Sequence, residues 1–184
     1  TGVVEVLHGR SELLERFAAC VRDRDPDVLE GHNIYGFDLP YLMGRAQEIG
    51  MHLGIGRDGS APRFGPERNY SIGGNARPFV PVYVSGRHVI DTFLLVQRFD
   101  WARGELTGYG LKEVARAYGI AAEDRVIVPR EDMLAELQRD PDRVAEYARQ
   151  DVLETARLAE LITPTEFFQT QMAPDNYGAL AVSG

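Results

Sequence analysis

Residues Gly31–Leu42 read GHNIYGFDLPYL, and the reading of this stretch decides the fold. Pro40 suits a first helical turn, where its missing N–H is not needed. Asp38 then stands at or just before the helix start, where the positive end of the dipole favours a carboxylate. Upstream, Asp27-Val28-Leu29-Glu30 reads as a short strand after an Asp25-Pro26 turn. The segment is strand, loop, helix, with Asn33 and Asp38 at the C-terminal end of the strand. Open α/β sheets build their sites there. An Asp before a helix also serves as a simple cap, which stabilises a helix by about 1 kcal/mol. From these residues alone both readings of Asp38 stand.

Outward from this stretch, the helix after Asp38 runs to about Ile49, with Gly50 as its C-cap. Val3–Leu7 is a β-branched run that predicts a strand. Ser11 is placed to cap a helix through Arg22, with Leu13, Leu14, Phe17, Ala18 and Val21 at helical spacing. Cys20 falls on that apolar face and is expected in the core. Residues 51–78 are rich in Gly and Pro and read as one long loop. Arg57, Arg63, Arg68, Arg77 and Arg87 face only Asp58 and Glu67 over residues 57–87, so the loop is a solvated excursion or a DNA-facing arm. Phe79–Val84 and His88–Thr92 predict two strands joined at Ser85-Gly86. Helices follow at Phe93–Phe99 and Leu111–Tyr118, and a short edge strand at Val126–Val128. Pro141 opens the last long helix, through Leu161, and Thr163–Met172 adds another.

The whole chain has 184 residues, the size of one domain with a proper core. No apolar run approaches the ~20 residues of a membrane span. A single cysteine allows no internal disulfide and fits a reducing cytoplasm. The net charge of −8 argues against strong nucleic-acid binding by this piece alone, since phosphate affinity comes mainly from Lys and Arg. A metal-dependent nuclease nonetheless collects carboxylates, so acidity does not exclude one. The four His (8, 32, 52, 88) lack metal-ligand spacing, and His32 is incidental to the site.

The long helix carries Tyr147 and Asp151, four apart and so on one face. Val144, Ala148, Val152, Thr155 and Ala159 share that face, which points Asp151 toward the core side. A carboxylate there must be paired, hydrogen-bonded or bound to metal. Local donors satisfy that need as well as a metal does.

Gly31, Asn33, Phe37, Asp38, Pro40, Tyr41 and Leu42 together resemble the second exonuclease motif of family B DNA polymerases. Tyr147-x-x-x-Asp151 resembles their third motif, and Glu146 at the position five before Asp151 marks the Tyr type rather than the His type. Residues 86–91 and 106–115 also look like family B exonuclease sequence. The resemblance implies an α/β, RNase H-like fold, a mixed sheet flanked by helices. It implies a 3′→5′ proofreading exonuclease that uses two Mg²⁺ or Mn²⁺ ions, with Asp38 and Asp151 as metal ligands. Tyr147 then positions the attacking water. Asn33 binds the strand or braces the loop, and Phe37 stacks on terminal bases or belongs to the core. The implied partners are a single-stranded DNA 3′ end and the rest of a polymerase chain.

The family's first motif, an Asp-x-Glu on the opening strand, has no counterpart before Gly31, where Glu5 stands alone in Val3–Leu7. Either the chain is truncated before that motif or the parent carries a degenerate exonuclease; truncation is the favoured expectation, with the first strands missing and the fragment inactive by itself. Residues 1–162 are expected to be a partial exonuclease domain and 163–184 the lead into the polymerase palm. The strand beside Asp38 is then expected to expose an edge, which invites a non-native dimer. Two other readings compete: a related Tyr-type DNA or RNA exonuclease, and a non-catalytic DNA-binding or structural module of a polymerase.

Overall fold

The computed structural model describes residues 9–72, 75–172 and 177–181. Helix α1 (Arg10–Arg24) leads into strand β1 (Val28–Gly31), a π-helical turn at Ile34–Asp38 and helix α2 (Leu39–Glu48). Strands β2 (Arg63–Phe64), β3 (Arg68–Ile72), β4 (Asn75–Phe79), β5 (Val82–Tyr83) and β6 (His88–Asp91) follow. The rest is helical: α3 (Thr92–Trp101), α4 (Leu111–Ala117), α5 (Met133–Arg139), α6 (Pro141–Ile162), α7 (Pro164–Thr170) and α8 (Tyr177–Ala181).

The pair that positions everything else is β1 beside β6, parallel, with Leu29 opposite Val89 and Gly31 opposite Asp91. Side chains alternate across it with the period of two that a strand imposes. Leu29 and Val89 pack with Leu14, Ala18 and Val21 of α1 and Leu39 and Ala46 of α2. Val28 and Ile90 face the other way, onto Leu95, Val96, Val114, Leu158 and Ile162. Helices thus cover both faces of the pair. Ile90, Val96, Val114 and Leu158 are fully buried, and each such side chain contributes about 1.5–3 kcal/mol. Among the described residues, β1 pairs on one side only. Its other edge opens into a groove of about 630 Å³. Val3–Leu7, the expected first strand, lies outside the described residues.

Several local expectations are corrected. Ser11 does not cap α1: the helix begins at Arg10 with Gly9 as N-cap, and the Ser11 hydroxyl donates to Glu15 at 2.7 Å. Cys20 is exposed, because the buried stripe of α1 runs through Leu14, Ala18 and Val21, which leaves position 20 on the solvent side. Residues 51–78 are not a structureless loop, since β3 and β4 form an antiparallel ladder and β2 pairs β5. Strands β5 and β6 do not pair with each other beyond a single Val84–Arg87 bridge, as each already has a different partner. Val126–Val128 forms no strand; the Val126 N–H instead donates to the Gln150 side chain at 2.8 Å. On α6 the buried positions are Glu154, Leu158, Ala159 and Ile162, so the core face is rotated from the expected stripe. Val152, at 68% exposure, lines the groove instead.

Two of the five arginines are also structural rather than free for DNA. Arg57 bonds Asp25 at 2.8 Å and Asp27 at 2.6 Å. Arg87 is buried and donates to the carbonyls of Ile55 and Pro26 and to Asp25. It ties the end of α1, residue 55 and the start of β6 into one unit. Replacing Arg87 with Met leaves those buried carbonyls without a donor, and a cost of about 1–3 kcal/mol for each group is expected. Urea denaturation should therefore show a clearly lowered midpoint for Arg87→Met; an unchanged midpoint would show that water replaces the guanidinium freely.

Candidate active site

The site starts from the backbone of residues 31–38. Asn33 takes a left-handed conformation, φ 74° and ψ 33°, which Asn tolerates better than most residues. Gly36 leaves room for the Asn33 side-chain oxygen, which would lie 2.3 Å from a Cβ at that position and would have to move. The π-helical turn at Ile34–Asp38 then hands over to α2 through a Leu39 N–H to Ile34 C=O bond. Turns of this kind recur at functional sites. Asp38 is the last residue of the turn, and its side chain accepts no capping bond from α2. The simple-cap reading of Asp38 is thereby corrected. Its carboxylate lies on the wall of the groove beside Ile34, Leu39 and Leu42. Burial against that wall pushes its pKa above the ordinary carboxylate value, while its own backbone N–H pulls the other way.

What holds this turn is Asp91, at the end of β6. It accepts from the backbone N–H groups of Asn33 at 3.0 Å, Tyr35 at 3.1 Å and Phe93 at 2.9 Å, so it fixes the turn and caps α3 at once. The Tyr35 hydroxyl adds a bond to the Val89 carbonyl at 2.7 Å. His32 is a clamp rather than a bystander. Its ring nitrogens meet the Thr92 hydroxyl at 3.0 Å and the Tyr109 carbonyl at 2.7 Å.

Asp151 reaches the same groove from α6, so Asp38 and Asp151 line one concavity with Glu30 and His32. Asp151 is ion-paired to Arg125, which also bonds Glu154 at 2.7 Å and 2.9 Å. The Tyr147 ring sits between two cations: Lys112 Nζ is 4.7 Å and the Arg125 guanidinium 5.6 Å from its centroid. Tyr147 and Asp151 thus share Arg125. Phe37 and Asn33 are both exposed, and Phe37 stacks on Tyr41. Residue reading in sequence missed Arg125 and Asp91. Asp91 carried a signal, an Asp-Thr pair between a β-branched run and a helix. Arg125 carried none, because its partners are 26 and 29 positions away.

Among the described residues, no group of three or more His, Cys, Asp or Glu side chains is placed to hold a metal ion. Asp38 and Asp151 fit part of a Mg²⁺ or Mn²⁺ site, as hard oxygen donors on one groove, and not the whole of it.

Burial raises the Asp91 pKa to about 6 from 3.8, against the pull of its N–H donors. Between those values the folded chain holds more protons than the unfolded one. The stability Asp91 contributes is thus greatest below about pH 4 and declines as pH rises through 6. A carboxyl ¹³C titration should show its midpoint near 6. A midpoint below 4 would mean that the backbone donors outweigh burial.

Residues 3–114, more than half of the chain, match the family model described as the exonuclease domain of DNA polymerase family B. A DNA polymerase from Pyrococcus glycovorans is 31% identical over 163 residues, covering 89% of this chain and 19% of that protein. One from Thermococcus litoralis is 30% identical over 165 residues, covering 89% of this chain and 9% of that protein. The structure of the family B DNA polymerase of Pyrobaculum calidifontis superposes with a TM-score of 0.74 at 26% identity, covering 94% of this chain and 21% of that one. The chain therefore spans about a fifth or less of these relatives. The parallel β1–β6 pair and Asp38 fall within residues 3–114, and the chain belongs to the family B DNA polymerases, within their exonuclease domain.

Proposed function

We propose that this chain forms part of a 3′→5′ proofreading exonuclease that hydrolyses the 3′-terminal phosphodiester of single-stranded DNA within a family B polymerase. The observation that carries the reading is the meeting of Asp38 and Asp151 on one groove from two distant motifs. In this reading both hold divalent ions, and Tyr147 orients the attacking water. Asn33 and Phe37 contact the DNA strand. Two Mg²⁺ or Mn²⁺ ions, when bound, activate that water and stabilise the leaving 3′ oxygen.

The remaining ligands come from outside the described residues. The open edge of β1 receives the strand that bears the family's Asp-x-Glu, which also covers Leu42, Leu111 and Val152 in the groove. Left uncovered, the same edge favours self-association of the chain. Residues 1–162 then serve the exonuclease and 163–184 run toward the polymerase palm, in a protein working in the cytoplasm.

Two outcomes follow. The chain alone should leave a 3′-labelled single strand intact with Mg²⁺, because two carboxylates hold two hydrated ions poorly. Robust digestion lost in both Asp38→Ala and Asp151→Ala would overturn this. In a polymerase that carries this chain with an Asp-x-Glu strand, either substitution should slow exonuclease turnover at least roughly 100-fold, the effect of losing several kcal/mol of metal-borne stabilisation. Polymerase turnover should be unchanged. Exonuclease turnover unaffected by both substitutions would remove the proposed site.

A further inference from the structure

Phe37, Tyr41 and Arg45 follow one another at intervals of four, so they lie along one side of the π turn and α2. The Phe37 and Tyr41 rings stack with centroids 5.5 Å apart and planes 17° from parallel. The Arg45 guanidinium lies over the Tyr41 ring, 5.1 Å from its centroid. Its far side is held by Glu48 at 2.6 Å. The four groups form a column fixed at the Glu48 end and open at the Phe37 end.

Core packing does not account for this column. Phe37 and Tyr41 belong to neither hydrophobic cluster, and each is 49% exposed. Yet the column ends on a half-exposed ring one chain position from Asp38. A ring held flat by a second ring loses less freedom on binding than an isolated exposed Phe. Stacking is also tolerant of sequence, since every base has a π-face. That suits an enzyme that must accept any terminal nucleotide.

We infer that Tyr41 is a positioning residue: backed by Arg45, it holds the Phe37 ring as a preset platform for the 3′-terminal base of single-stranded DNA. The inference rests on the exonuclease reading and adds to it the residue that orients the base contact.

The test uses a polymerase that carries this chain with an Asp-x-Glu strand, kept free of divalent metal, and an oligothymidylate ending in 2-aminopurine, whose fluorescence is quenched on stacking. A matched oligonucleotide with an abasic 3′ terminus is the control. Phe37→Ala should abolish the quenching and weaken binding roughly 5- to 100-fold. Tyr41→Ala should weaken binding of the base-bearing strand roughly 2- to 10-fold and leave the abasic strand unaffected. Tyr41→Phe should restore both quenching and affinity. Equal losses on both strands, or Tyr41→Ala binding like the native chain, would overturn the positioning role while leaving the Phe37 contact intact. Absence of quenching in the native chain would instead overturn the Phe37 contact itself, and the platform with it.

Discussion

The candidate site hangs on one buried carboxylate. Asp91 is 2% exposed and accepts from backbone N–H groups, two in the 33–35 turn and one at the start of α3. Burying a carboxylate is costly unless its lone pairs are filled, and here backbone donors fill them. Each of those donors would otherwise be an orphan of a helix start or of a left-handed turn. The same contacts lock the approach to Asp38, because the last residue of a π turn can be aimed only if the turn itself cannot slide. Site geometry and sheet register are therefore one constraint: Asp91 sits opposite Gly31 in the β1–β6 ladder.

A two-stranded parallel sheet is a slender support, and parallel pairs normally sit inside larger, doubly covered sheets. Here α1 and α2 close one face and α3, α4 and α6 close the other. What they leave open is lateral, along the outer edge of β1. The apolar residues there, Leu42, Leu111 and Val152 among them, sit beside acids, Asp38 and Asp151. Val152 is 68% exposed on the groove side of α6, while Glu154, Leu158, Ala159 and Ile162 of the same helix are buried.

What could be read in the sequence was local. The strand, turn and helix of residues 27–48 follow from the Asp25-Pro26 turn, Pro40 and Gly50, and Pro141 marks the start of α6. Only the resemblance to two family motifs implies that Asp38 and Asp151, distant in the chain, belong together, and both line one groove. What could not be read depends on partners distant in the chain. Five arginines around a Gly-rich segment looked basic, but Asp25 and Asp27 neutralise Arg57, and backbone carbonyls absorb Arg87. The apolar stripe of α6 was misplaced because a small error in helical phase turns a core face into a groove face. Cys20 moved to the surface for the same reason.

Arg125 shows how distant partners govern the chemistry of the site. Its guanidinium and the Glu154 carboxylate are 7% and 5% exposed, and separating such a pair by deleting one member generally costs about 3–5 kcal/mol. The pair is thus fixed in place whether or not it adds net stability. Asp151, by contrast, is 32% exposed and shares the same arginine from the rim of the groove. In the proposed reading, Asp151 would leave Arg125 to hold a divalent ion without stranding a buried charge, since Glu154 would still balance the arginine. Tyr147 shares that arginine, whose guanidinium lies 5.6 Å from its ring centroid.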